Sequence, residues 1–445
     1  MSALKNRFKP QYAVWAVFAC FLAPIAIQAK EIEIDAALGT PVVLASQQQT
    51  AYLRVAMTGF KPERESDRAP VNIAFVLDKS GSMQGEKIEN AKQAVRMAIG
   101  RLNDRDIVSI VAYDTNVLVL VPATRLTDRA SIYEAVEKLS ADHSTALFAG
   151  VSRGAAELRK FLEKQQVNRI ILLSDGLANV GPSSPGELGD LGRSLGRDGI
   201  AVSTIGLGLD YNEDLMTRLA MASDGNHMFA ERPSDLDDAF AREFGDVLAV
   251  VAQQVNISIR CAAGIRPVRV LGREAVVSGQ NVMLTLNQLY SDQTKYLILE
   301  VEVPAGASGS ERDLAFVQVD YSNLATGNAT TLNRKVTIAF TDDPTDVKEQ
   351  TNEDVMAAAV LQIGVEQNKL ATRLRDEGKI EESRQMFISN SNYLIQNAAK
   401  YDSKDLEEYS RTNSIASENL DETNYKRQRK VLIESQQGLI TQQKR

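Results

Sequence analysis

The stretch that decides the fold is Val71-Asn72-Ile73-Ala74-Phe75-Val76-Leu77-Asp78-Lys79-Ser80-Gly81-Ser82-Met83. Seven mostly apolar residues run straight into Asp-x-Ser-x-Ser. A run this long, rich in Val, Ile and Phe, reads as a strand buried on both faces. Gly81 and Gly85 loosen the chain just beyond it, and Ile88, Ala91, Val95, Ala98, Ile99 and Leu102 then recur at helical spacing. The oxygens of Asp78, Ser80 and Ser82 therefore sit on a tight loop at the C-terminal end of a strand, which is where open α/β sheets bind ligands.

One carboxylate and two hydroxyls suit a hard cation. Mg²⁺ takes about six oxygens in an octahedron, so other loops must contribute. Thr145, in Asp142-His143-Ser144-Thr145-Ala146, leads into a helical pattern. Asp175 ends a second buried run, Ile170-Ile171-Leu172-Leu173-Ser174-Asp175-Gly176. The competing reading is that these are ordinary Asp/Ser/Gly turns whose side chains cap helices.

In order and spacing, Asp78-x-Ser80-x-Ser82, Thr145 and Asp175-Gly176 resemble the metal-ion-dependent adhesion site of von Willebrand factor type A (VWA) domains. The resemblance covers roughly residues 70–250. It implies Mg²⁺, with Ca²⁺ or Mn²⁺ as alternatives, touched directly by Ser80, Ser82 and Thr145. Asp78 and Asp175 would act wholly or partly through water. Many bacterial VWA domains place Gly-Gly or Gly-Ser before the threonine, whereas this chain has His143-Ser144, so the shape of the rim stays open. Lys79 should point away from the ion, because an ammonium folded over the site would weaken cation binding.

The fold class expected is α/β: a mostly parallel six-stranded VWA sheet with helices on both faces, inserted in or flanked by an all-β sandwich and followed by a C-terminal helical region. Within 70–250, strands are expected near 107–113, 117–121, 170–173, 200–205 and 226–230, with helices near 129–139, 147–163, 187–198 and 234–248. Residues 251–342 change to short alternating strands, the pattern of a sandwich. The N-terminal segment, 30–69, has too few strands to bury a face alone and is expected to join that sandwich, which makes the VWA unit an insertion. Beyond 343 the pattern is helical. Two apolar-striped helices, 355–374 and 380–399, resemble one tetratricopeptide-type hairpin. With no repeat beyond them, they read as an αα-hairpin packed on the body. Residues 415–445, rich in Gln, Lys and Arg, read as a frayed helix or a partner segment.

Lys5, Arg7 and Lys9 precede an apolar run over 12–27, and Ile27-Gln28-Ala29 offers a small-residue cleavage site. Residues 1–29 are read as a signal peptide, which makes the protein exported, periplasmic or extracellular. Acylation of Cys20 and an uncleaved anchor are the alternatives. The run is short for a permanent span, so no transmembrane segment is expected in the mature chain. Loss of three unopposed basic residues moves the net charge from −8 to about −11. That acidity argues against nucleic acid or an anionic membrane as the main partner. One cysteine, Cys261, then remains, and it cannot form an internal disulfide.

An enzyme needs a nucleophile with a base, or a catalytic metal. The chain has two histidines, His143 and His227, and neither a His-Glu-x-x-His nor a Gly-x-Ser-x-Gly motif. His143 is read as a paired or solvated loop residue and His227 as a structural one. The first functional reading is a binding protein, not an enzyme: the metal captures a carboxylate on a partner protein. The second is an assembly scaffold with a purely structural metal. The third is a metal-assisted hydrolase.

Overall fold

A computed structural model describes residues 31–62, 68–141, 144–163 and 165–444. The proposed signal segment and His143 lie outside these residues. The N-terminal part forms β1 (Glu33–Leu38), β2 (Val42–Leu44) and β3 (Gln49–Thr58). Next come β4 (Val71–Asp78), α1 (Glu86–Gly100), β5 (Ile107–Tyr113), β6 (Val117–Arg125), α2 (Arg129–Glu137), α3 (Leu147–Leu158) and β7 (Val167–Ser174). This region closes with α4 (Pro185–Arg197), β8 (Ile200–Leu207), α5 (Glu213–Ala222), β9 (His227–Ala230) and α6 (Leu236–Leu248).

The central sheet runs β6-β5-β4-β7-β8-β9, and every pairing is parallel except β5 with the edge strand β6. All eight residues of each of β4, β7 and β8 are buried, which explains their unbroken apolar sequence. Alternation divides β4 between two cores. Ile73, Phe75 and Leu77 face α1 and α6, whereas Ala74 and Val76 face α3. Helix α5 is absent from the sequence-based expectation. Its signals are local: the Asn212 side chain caps Leu215 N, Glu213 and Asp214 fill the first turn, and Leu215, Met216, Leu219 and Ala220 form its buried stripe.

Seven strands follow: β10 (Val250–Cys261), β11 (Arg266–Leu271), β12 (Val276–Ser278), β13 (Asn281–Tyr290), β14 (Thr294–Val303), β15 (Glu311–Asn323) and β16 (Ala329–Thr341). They build two sheets together with the N-terminal strands. One runs β1-β3-β14-β11, and the other runs β12-β13-β10-β15-β16-β2. Leu53, Val55, Leu297 and Leu299 from the first meet Ile257, Ile259, Val317 and Ile338 from the second in one apolar core. The chain leaves this sandwich after β3 and returns at β10, and the two crossings touch. A Cβ on Gly59 would collide with the Tyr290 carbonyl oxygen and stand 2.9 Å from Val251 Cγ2. Glycine is what lets the outgoing and returning strands sit side by side.

The C-terminal region holds α7 (Pro344–Glu349), α8 (Glu353–Asp376), α9 (Ile380–Lys400), α10 (Lys404–Glu418), α11 (Glu422–Ile440) and a two-residue strand, β17 (Gln443–Lys444), paired with β14. This corrects the expected hairpin and tail of 343–445: α10 is a further full helix, and α11 is docked, not frayed. The reason is a polar interior. Asn368 and Asn390 each donate to Asn413 Oδ1 at 2.9 Å, and Gln436 Nε2 donates to Asn368 Oδ1 at 2.7 Å, all buried. On α10 and α11 the inward face mixes Asn413, Gln436 and Gln437 with its apolar residues, which breaks the stripe that would have announced them. No helix among the described residues is long and apolar enough to cross a membrane.

Candidate functional site

The site grows from the topology. After β4 the chain turns to the face covered by α1, and after β7 it turns to the face covered by α4. The ends of β4 and β7 are neighbours, with Leu77 paired to Leu173, so a crevice opens above this switch point. Asp78 and Asp175 lie at its floor, both fully buried.

Asp78 looks inward. Its Oδ1 accepts from Ser80 N at 2.9 Å, and its Oδ2 accepts from Ser174 Oγ at 2.7 Å and Tyr113 Oη at 3.4 Å. Burial pushes the Asp78 carboxyl above its ordinary range, while the hydrogen bonds from Ser174 and Ser80 pull it down. Asp78 thus fixes the loop and holds negative charge behind it.

The hydroxyls face the crevice. Ser80 Oγ and Ser82 Oγ share a hydrogen bond of 3.1 Å, and Ser82 Oγ donates to Asp175 Oδ1 at 2.6 Å. Thr145 arrives from the opposite side on the approach to α3. That helix lies close because it is glycine-faced where it crosses the sheet: a Cβ on Gly150 would stand 2.7 Å from the Tyr113 ring, and one on Gly154 would stand 2.6 Å from Val76 Cγ2. Asn179 fixes the Thr145 backbone, its Oδ1 accepting from Thr145 N at 2.9 Å. Gly176 lies between the groups: a Cβ there would be 3.4 Å from Ser82 Oγ and 3.7 Å from Thr145 Oγ1. Ser80, Ser82, Thr145 and Asp175 line one open cleft of about 540 Å³. All five sequence-predicted residues therefore meet at one place, four on the cleft and Asp78 beneath it.

The capping alternative fails for the hydroxyls, and Asp78 alone keeps a turn role, through Ser80 N. The short 3₁₀ turn after β4 begins at Ser80 with no side-chain cap, α1 is preceded by Gly85, and α3 is preceded by Ala146, again with no side-chain cap. The hydroxyls are turned to the cleft and to each other. Their separations of 3.1 and 2.6 Å bracket the edge of about 3.0 Å of an oxygen octahedron with metal–oxygen bonds of about 2.1 Å. A set of neutral hydroxyls with one carboxylate alongside fits a hard divalent cation.

Two lysines stand near. Lys79 is turned to Asp114, as expected of a residue pointing away from the cleft. Lys87, on α1, reaches Asp175 Oδ2 at 2.5 Å. Sequence reasoning missed Lys426 and Lys430 of α11, which line the same cleft from a segment more than two hundred residues away. No local pattern could have announced them. His227 stands behind Tyr211 and does not line the cleft. It is buried on β9, with Nδ1 2.9 Å from Thr204 Oγ1.

An open sheet of this strand order, with a hydroxyl–carboxylate cluster above its switch point, defines a VWA-type adhesion-site domain. Residues 72–242 match the family model described as von Willebrand factor type A domain, so the chain carries a domain of that kind. The uncharacterized protein sll0103 of Synechocystis sp. is 28% identical, over 63% of this chain and 68% of that one. Inter-alpha-trypsin inhibitor heavy chain H3 of Rattus norvegicus is 30% identical over 38% of this chain, which spans only 20% of that protein. The solved structure of von Willebrand factor type A from Catenulispora acidiphila superposes with a TM-score of 0.68 at 18% identity, over 84% of this chain and 89% of that one. The fold is thus shared well beyond the VWA unit. VWA domains commonly mediate metal-dependent protein interactions and are generally not enzymes.

Proposed function

We propose that this chain is an exported protein-binding protein that holds Mg²⁺ at its VWA site and captures a carboxylate of a partner protein there. Ser80, Ser82 and Thr145 would hold the ion directly, and Asp78 and Asp175 would hold it wholly or partly through water. The observation that carries the reading is the convergence of three hydroxyls, unspent on helix caps, beside the Asp175 carboxylate. The hydroxyls bring no formal charge, and carboxylates that act through water, with Asp78 already accepting from Ser80 and Ser174, neutralise a divalent ion only in part. When bound, such an ion supplies an electrophilic position open to an outside oxygen. The protein's part is to fix the donors on strand ends and to leave the cleft open.

Ser80→Ala with Ser82→Ala tests this. Capture of a partner from envelope extract should occur with Mg²⁺, vanish with chelator, and vanish in the double variant while its chelator-treated melting midpoint matches the wild type. Capture that survives chelator sinks the metal reading. Loss of melting stability with capture intact would instead favour a structural ion. Export rests on Lys5, Arg7 and Lys9 before the apolar run over 12–27. N-terminal sequencing of the mature protein should begin at Lys30; a start at Cys20 or at Met1 replaces cleavage by an anchor.

A further inference from the structure

The metal cleft has a second wall, and the C-terminal helix supplies it. On α11, Lys426 and Lys430 lie one turn apart on a single face, and both line the cleft that holds Ser80, Ser82, Thr145 and Asp175. The helix is fastened there by charge. Arg429 binds Glu213 at 2.5 Å, Asp214 at 2.8 Å and Asp376 at 2.9 Å, and Arg427 binds Glu231 at 2.7 Å. Lys430, 1% exposed, donates to Tyr211 O at 2.8 Å and Glu213 Oε2 at 2.6 Å, with its ammonium 3.8 Å above the Tyr211 ring. Its donors are spent on building the wall.

Lys426 is different. Its side chain is 58% exposed, and its ion pair is with Asp210, itself 75% exposed, at 2.7 Å. An ammonium has three donors, and an exposed pair of this kind contributes little, so a carboxylate in the cleft can share or replace Asp210 at small cost. Leu177, 59% exposed, stands on the same cleft beside Gly176 and offers apolar contact that a small anion would not use. Building on the metal-capture reading, we infer that the ligand is an acidic polypeptide segment carrying two carboxylates, one for the metal and one for Lys426, with an apolar side chain against Leu177. The site is then composite: the sheet supplies the metal donors and the last helix supplies the anion reader.

The test uses the full chain on an array of peptides in an Ala/Ser/Leu host, each with one Glu or with two at spacings of one to six residues. Binding is read with Mg²⁺ and with chelator. Two-acid peptides at a favoured spacing should bind the wild type on the order of threefold to tenfold more tightly than one-acid peptides. The preference should shrink as salt rises, disappear in Lys426→Gln, and persist in Lys426→Arg. Equal binding of one- and two-acid peptides, or a preference unchanged in Lys426→Gln, overturns the composite site and leaves metal capture standing. If no peptide binds more tightly with Mg²⁺ than with chelator, acidic capture itself fails.

Discussion

Lys87 Nζ stands 2.5 Å from Asp175 Oδ2, so the carboxylate closest to the candidate metal position already has a cation beside it. Asp175 is fully buried and Lys87 is about a third exposed. Without a divalent ion, this pairing is what compensates a buried carboxylate at the head of β7. An incoming ion must compete with it. Lys87→Met should therefore lower the melting midpoint in chelator, raise Mg²⁺ affinity by about threefold to tenfold, and widen the gap between the midpoints with and without Mg²⁺. Calorimetric titration and thermal melts check both. A variant that binds Mg²⁺ more weakly would mean that Lys87 orients Asp175 and does not compete.

Gly176 is the residue whose missing side chain keeps the donors together. A Cβ there would lie 3.4 Å from Ser82 Oγ and 3.7 Å from Thr145 Oγ1, inside the space the cation needs. Gly176→Ala should fold normally, since neither contact is a clash, yet lose about tenfold in Mg²⁺ affinity. Unchanged affinity would put the ion elsewhere.

The buried Arg169–Glu243 pair, 2.8 Å apart with both side chains fully buried, joins β7 to α6 within the VWA unit, and Arg169 alone reaches on to the sandwich. Arg169 also donates to Ser203 Oγ at 2.7 Å, to Tyr290 Oη at 3.2 Å and to Gln288, the last two on β13. Arg169→Met strands a buried carboxylate, which costs about 3–5 kcal/mol. Arg169→Met with Glu243→Leu removes both charges and should recover a large part of that loss. Urea unfolding decides it: a single variant within about 1 kcal/mol of wild type would show that Glu243 is satisfied without arginine.

What could be read from residues alone follows the range of the forces. Asp78, Ser80, Ser82 and Asp175 were legible as candidates because each closes or follows a buried strand, and an apolar run closing on Asp78 or Asp175 is a local signal; Thr145, in a loop before α3, was picked out through the family resemblance. Strand β12 escaped because Val276, Val277 and Ser278 are all exposed, so burial imposes no alternation on them. Helix α10 escaped because its inward face carries Ser410, Asn413 and Ser417 beside Leu406 and Tyr409, residues that read as solvent-facing until Asn368 and Asn390 are known to meet them. Lys430 escaped most completely. A lysine next to Arg429 reads as solvated, and only the fold supplies Glu213 and the Tyr211 carbonyl that allow it to be buried.

His227 gives the last prediction. Its ring is buried between Thr204 Oγ1, 2.9 Å from Nδ1, and Tyr211 Oη, 3.4 Å from Nε2. Burial pushes its pKa down to about 4; the Glu213 charge pulls the other way and the Lys430 charge adds to the depression. In the unfolded chain the value returns to about 6.5. Between those values the unfolded state binds the proton and the folded state does not, so stability rises with pH through this window. The contribution is complete above about pH 6.5 and is lost as pH falls toward 4, with a ceiling of about 3 kcal/mol. His227→Gln keeps a polar group at Tyr211 and removes the titration. Its melting midpoint should change less than that of wild type between pH 6.5 and 4.5, so that the difference between the two proteins narrows as the buffer is acidified. Carboxylates titrating near pH 4 shift both proteins alike and cancel in that difference. Two profiles that stay parallel over the window would mean that the imidazole is charged in the fold, with Glu213 outweighing the loss of water.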